Sequence, residues 1–202
     1  MKTSLLPTRI AAAAALLMSV TAAQAGDFTV TGTMTFHNDV VMVDFSLASA
    51  ATGVKIWTDS WLSGLNFDPT AALWVRGGAD FSRLAEVDDD DTVAPGQGFY
   101  DTGFSLPSLA AGQYRVTLVA AVNASNGSLL SQGFAYDSET PIPLALWNQP
   151  TYDPNANDQK GGFWQLRFSQ VDSVSVVPEP ASWLLLGLGV AALSLRRRLG
   201  TV

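Results

Sequence analysis

From residue 26 to residue 177 apolar and polar residues alternate along the chain, and stretches with helical periodicity are scarce. Phe28, Val30, Met34 and Phe36 stand against Thr29, Thr31, Thr33 and Thr35, which predicts a strand over Phe28–Phe36 interrupted at Gly32. The same alternation predicts strands over Val40–Leu47, Gly53–Thr58, Ala71–Val75, Arg83–Val87, Phe99–Leu106, Gly112–Ala120 and Phe163–Val176. Turn signals fall between them at Gly64, Asp68-Pro69, Gly77-Gly78, Pro95-Gly96, Ala111-Gly112 and Asn126-Gly127. Short strands at regular spacing with polar turns imply an all-β domain, a single antiparallel β-sandwich of jelly-roll-like type. The segment Asp137–Gly162 is rich in Pro, Asn and Asp and reads as a long loop packed by Trp147, Tyr152 and Phe163.

Both ends depart from this pattern. Lys2 and Arg9 precede an apolar run, Ile10–Val20, and Ala23-Gln24-Ala25 forms a small-residue cleavage site, so residues 1–25 read as a signal peptide cut between Ala25 and Gly26. At the other end stand Pro178, Glu179 and Pro180, an apolar run over Ala181–Leu195, and Arg196, Arg197 and Arg198. The prolines fix φ and remove backbone donors, which keeps that stretch extended and accessible. Fifteen apolar residues make a helix of about 22 Å, short of the ~20 residues of an ordinary span; tilt and snorkelling arginines close the gap. Trp183 sits where an interfacial aromatic would, and the uncompensated arginines orient the end of the chain to the cytoplasm.

The succession Pro-Glu-Pro, apolar segment and arginine stop is similar to the PEP-CTERM sorting tail of Gram-negative bacteria. The resemblance implies export and handling by an exosortase, a membrane transpeptidase-like enzyme. It divides the chain into a signal peptide (1–25), an exported domain (26–177) and a sorting tail with a C-terminal membrane helix (178–202). A plain permanent anchor, or less readily a buried core helix, is the competing reading of the apolar run.

Composition narrows the function of the domain between. Over residues 26–177 six cationic side chains stand against seventeen carboxylates, a net charge of −11 with His37 neutral. Such a body excludes nucleic acid and disfavours anionic lipid surfaces as partners. Cysteine is absent, which removes disulfides, thiol chemistry and thiolate metal sites. His37 is the only histidine and no Gly-x-Ser-x-Gly elbow is present, so neither a nucleophilic triad nor a catalytic zinc site is readable. Beside Asn38-Asp39, in a turn, His37 reads as a surface residue. Carboxylate-based hydrolysis has acids enough, but no pair stands in a recognisable motif.

The acidic run Asp88, Asp89, Asp90 and Asp91 is either a solvated loop or the oxygen ligands of a calcium ion, with Asp68, Asp80 and Asp101 in neighbouring turns to complete the shell. The tryptophans Trp57, Trp61, Trp74, Trp147 and Trp164 read mostly as core, with Trp61 the one expected at the surface and open to carbohydrate. Ile56-Trp57-Thr58-Asp59-Ser60, Asn66-Phe67-Asp68-Pro69, and Leu109-Ala110-Ala111-Gly112-Gln113-Tyr114 follow one another in an order similar to β-sandwich domains related to bacterial pre-peptidase C-terminal domains. That resemblance implies a non-catalytic exported module. Joined to the tail, it implies an envelope or extracellular-matrix protein associated with exopolysaccharide. The expected route runs from an inner-membrane-tethered intermediate, with the export machinery and the exosortase as partners, to the cell surface or matrix. The alternatives are a calcium- or carbohydrate-binding adhesion module and a carboxylate hydrolase.

Overall fold

The computed structural model describes residues 25–149 and 157–178. Tyr152, Glu179, Pro180, the Ala181–Leu195 segment, Arg196, Arg197, Arg198 and residues 1–24, within the expected signal peptide, lie outside those residues. Nine strands follow in order: β1 (Gly26–Thr33), β2 (Val41–Leu47), β3 (Ala51–Thr58), β4 (Pro69–Gly77), β5 (Asp80–Val87), β6 (Gly103–Leu109), β7 (Gly112–Ala120), β8 (Phe163–Val171) and β9 (Ser173–Val177). A 3-10 turn covers Leu130–Gln132. Among the described residues no helix is long and apolar enough to cross a membrane.

All pairings between these strands are antiparallel. One sheet has the order β1-β8-β3-β6 and the other β5-β4-β7-β2-β9. With β9 set aside, these are the two interleaved four-stranded sheets of a jelly roll, as the alternation predicts. The core lies between them. Val43, Phe45, Val54, Ile56, Leu73, Val116, Leu166 and Phe168 are each at most 2% exposed, and each such side chain contributes about 1.5–3 kcal/mol by leaving water.

The middle of the five-stranded sheet is buried on both sides. β4 is buried from Pro69 through Trp74 without alternation, because its outward residues Ala72 and Trp74 join Phe81, Val119 and Phe134 in a second apolar cluster. The segment after β7 covers that cluster, returning over the sheet through bridges Ser82–Leu129 and Ser125–Phe134 and the bond from Arg83 N–H to Ser128 O at 2.8 Å.

Three expected elements differ. The predicted strand Phe163–Val176 is two strands in two sheets: Val171 ends the pairing with Gly26, and Ser173 begins the pairing with Ser46. The chain crosses between sheets at Asp172, after Gln170 with φ of 63°. Phe99 and Tyr100 belong to a turn rather than to β6, and Phe99 is 65% exposed. In the Asp137–Gly162 loop Trp147 is buried as expected, but Phe163 is 41% exposed, because Trp164 takes the inward side of β8 and alternation turns its neighbour outward.

Candidate functional site

The β4–β5 hairpin builds the one acidic constellation of metal-binding spacing found among the described residues. Its turn at Gly77–Asp80 pairs Ala71 with Val87, so the residues preceding β4 and those following β5 meet at one end of the sandwich. Asp68, Asp88 and Asp89 thereby converge, with one carboxylate oxygen of each within 4.8 Å of the others. Asp68 is 1% exposed, whereas Asp88 and Asp89 are exposed. The Asp68 main chain is fixed by Ala121 N–H donating to its carbonyl at 2.8 Å. The Thr70 hydroxyl donates to Asp88 Oδ1 across the hairpin.

Desolvation and, second, the adjacent Asp88 charge push the Asp89 carboxyl up to about 6. Three carboxylates this close repel when ionised, and either a proton or a hard cation relieves the repulsion. Thr70, Glu86, Asp88, Val122 and Ala124 wall a cleft of about 320 Å³ beside the cluster. Val122 holds φ at 62°, a left-handed conformation that is strained for a β-branched residue.

The other expected ligands lie outside the cluster. Asp90 Oδ1 accepts from Thr92 N–H and hydroxyl at 2.9 and 2.6 Å, closing its own turn. Asp91 is exposed and is not part of the cluster. Asp80 lies at the far end of the hairpin, accepting from Ser131 Oγ and, second, from Phe81 N–H, and these bonds lower its carboxyl from the ordinary value. Asp101 is a buried clasp: Oδ1 accepts from Thr58 Oγ1 at 2.7 Å, Ser60 N–H at 3.0 Å and Trp61 N–H at 3.2 Å, and Oδ2 from Gly98 N–H at 2.8 Å. Of the acidic run, then, only Asp88 and Asp89 reach the site, with Asp68 as third member. The signal that singles out these three is hairpin register, not proximity in sequence.

His37 is not a surface residue. It is 0% exposed, with its ring 5.1 Å from Trp147 and 5.4 Å from Tyr136. Nδ1 accepts from Ile142 N–H at 3.1 Å, which leaves the proton on Nε2, 3.1 Å from Glu139 Oε2. These bonds join the 34–37 segment to the 137–149 loop; among the described residues no serine or threonine hydroxyl bonds to the ring. Trp61 is likewise buried, at 7% exposure, with its ring edge-on to Tyr100 at 5.1 Å. Trp74, Trp147 and Trp164 are also buried, so stacking on exposed tryptophan faces has no support in these four.

The PEP-CTERM protein-sorting motif matches residues 176–198. The class defined by fold and tail together is an all-β sandwich domain followed by a C-terminal sorting motif. The chain carries that motif, and the motif implies exosortase-directed sorting and a secreted, membrane-processed protein of Gram-negative type. The match begins inside β9, so the motif adjoins the sandwich. No curated protein matches the chain. Among solved structures it is similar to the crystal structure of the Yersinia pseudotuberculosis-derived mitogen, at 12% identity and a TM-score of 0.39, over 77% of this chain and 97% of that one.

Proposed function

We propose that this protein is a non-catalytic structural or binding module of the cell envelope or exopolysaccharide matrix, delivered by its tail and held transiently by an apolar C-terminal segment. The observation that carries the reading is the sorting motif at 176–198, which starts on the last strand of the sandwich. The chemistry of the domain supports it. Glu86, the glutamate that walls the cleft, is engaged by Arg83, by Ser125 N–H at 2.8 Å and by Ser125 Oγ at 3.0 Å. It braces the covering segment, which does not suit a general acid or base. The experiment is the intact mass of the protein recovered from producing cells with and without the exosortase. Loss of the tail only in cells that have the enzyme, on a chain beginning near Gly26, is the expected result. An identical mass, tail included, in both strains rules the sorting part out.

The convergence of Asp68, Asp88 and Asp89 favours a second reading, in which the module takes calcium at that corner. Binding to the folded state alone stabilises it by about 2.7 kcal/mol at a calcium concentration roughly a hundredfold above Kd. A rise in Tm with millimolar calcium, abolished in Asp88→Asn/Asp89→Asn, is expected. An unmoved Tm eliminates the site.

A further inference from the structure

The outer face of the five-stranded sheet carries an open cleft of about 300 Å³ remote from the carboxylate corner. Its floor is a row of polar side chains set by register. Ser173 on β9 pairs with Ser46 on β2, and Ser46 pairs with Gln113 on β7. Arg76 on β4 stands one position beyond the Val75–Tyr114 pair and opposite Phe81 on β5. At about 4.8 Å between strands, the row from Ser173 to Arg76 spans about 14 Å. Ser46 and Ser173 share a hydrogen bond of 2.6 Å.

Arg76 is distinctive in its charge environment. Among the described arginines, Arg83 pairs with Glu86, Arg115 with Asp44 and Arg167 with Asp59. Lys55 and Lys160 donate to the Val93 and Trp147 carbonyls. Arg76 is exposed, and its guanidinium stands over the Phe81 ring, 5.6 Å from the centroid. The guanidinium of Arg115 stands over the same ring at 4.4 Å. Asp44 is taken by Arg115, which leaves the Arg76 guanidinium as the cation this cleft offers a ligand, on a body of net charge −11. A planar five-donor fork with no acceptor is suited to a bidentate carboxylate.

We propose that this face binds a carboxylate-bearing saccharide chain of the uronate type, laid across β9, β2, β7 and β4. The carboxylate is forked by Arg76, and ring hydroxyls are read by Gln113, Ser46 and Ser173. The backbone donors and acceptors of β2, β7 and β4 are used within the sheet, so a ligand on this face meets hydroxyl, amide and guanidinium groups. Those suit a polyol, which offers donors and acceptors at every ring. An acidic peptide laid across this face would find no main-chain partner on β2, β7 or β4, and no apolar pocket, because Phe81 is only 7% exposed beneath the guanidiniums. The acidity of the rest of the domain works against indiscriminate polyanion binding, so affinity for a uronate must be local.

The inference rests on the matrix-associated reading for its biological setting, not for its chemistry. The test is titration of the full-length protein in mild detergent with an oligogalacturonate, the matching neutral oligosaccharide and poly-glutamate. Wild type binds the oligogalacturonate and neither comparator with similar affinity. Arg76→Ala weakens that binding about tenfold or more, the scale of a lost charge-assisted hydrogen-bonded pair. Arg76→Lys recovers only part, and Ser173→Ala gives a smaller loss, with the thermal transition unchanged in each. Absent oligogalacturonate binding, or equal binding by Arg76→Ala, overturns the proposal; equal binding of poly-glutamate assigns the face to acidic peptides instead. Tail processing of Arg76→Ala in the producing cells, expected to be normal, is read separately, so a failed sorting reading and a failed saccharide reading leave different signatures.

Discussion

A Cβ added to Gly32 would come within 2.4 Å of Cζ2 of Trp164, the residue registered opposite it on β8. The glycine that looks like an interruption of the first strand is thus the seat of an indole. Gly32→Ala overpacks the core edge and is expected to cost about 1–3 kcal/mol, read as a lower denaturation midpoint. Trp164→Leu in the same chain should cost less than it does alone, because the two sites share the space. Asp89 makes a prediction of the opposite kind. Its folded-state pKa of about 6 stands above the ordinary 3.8. Its contribution to stability is therefore full below the ordinary value and is lost as pH rises through about 6. In calcium-free buffer Asp89→Asn should gain on wild type as pH is raised from 5 to 7, measured as the difference between two Tm curves. At this scale the sequence was least legible. His37 and Trp61 looked exposed because both sit in polar turns, but their burial depends on the 137–149 loop and on the Asp101 clasp, partners distant in sequence.

The elements were easier to read where one face only is buried. β1 alternates half-buried and exposed residues along its whole length, and its threonines mark the wet side. β4 gives no such signal, because the covering segment dries its outer face. The division of the last predicted strand had a faint trace: the inward positions Trp164, Leu166 and Phe168 lose their phase before Val171, and Gln170 takes up the slip. Asp172 then holds the crossing, its Oδ2 accepting from Ala48 N–H at 2.5 Å and its own N–H donating to Ser46 O at 3.0 Å. Asp172→Ala removes the first of these and should cost about 1 kcal/mol. Hydrogen exchange should locate the loss in β9, with faster amides at Val174 and Val176, while the amides of β8 keep their protection.

For the molecule as a whole, charge and the sorting motif at 176–198 were legible from composition and a short motif alone, because a sorting address is linear. The carboxylate corner and the polar row were not, since each is assembled by register between strands. The −11 body supplies a check at this scale. If the acidic corner is an important source of self-repulsion, Asp88→Asn/Asp89→Asn should raise Tm most at low ionic strength without calcium, and added salt should narrow the gap to wild type. A constant gap from low salt to about 1 M, where the screening length is only about 3 Å, would show that the repulsion is confined to direct contacts within the cluster.

The pairing of β1 with β8 also has a meaning in time. β1 has a single neighbour, and that neighbour is the last strand but one, so Gly26 waits for Val171. A chain threaded outward from its first residue would present β1 with almost the entire domain still to follow. Until β8 arrives, the opening strand has no partner in its own sheet, and such non-local closure is slow. The solvent-facing threonines that made β1 easy to read are what this strand shows to its surroundings while it waits, in place of an apolar edge open to other chains.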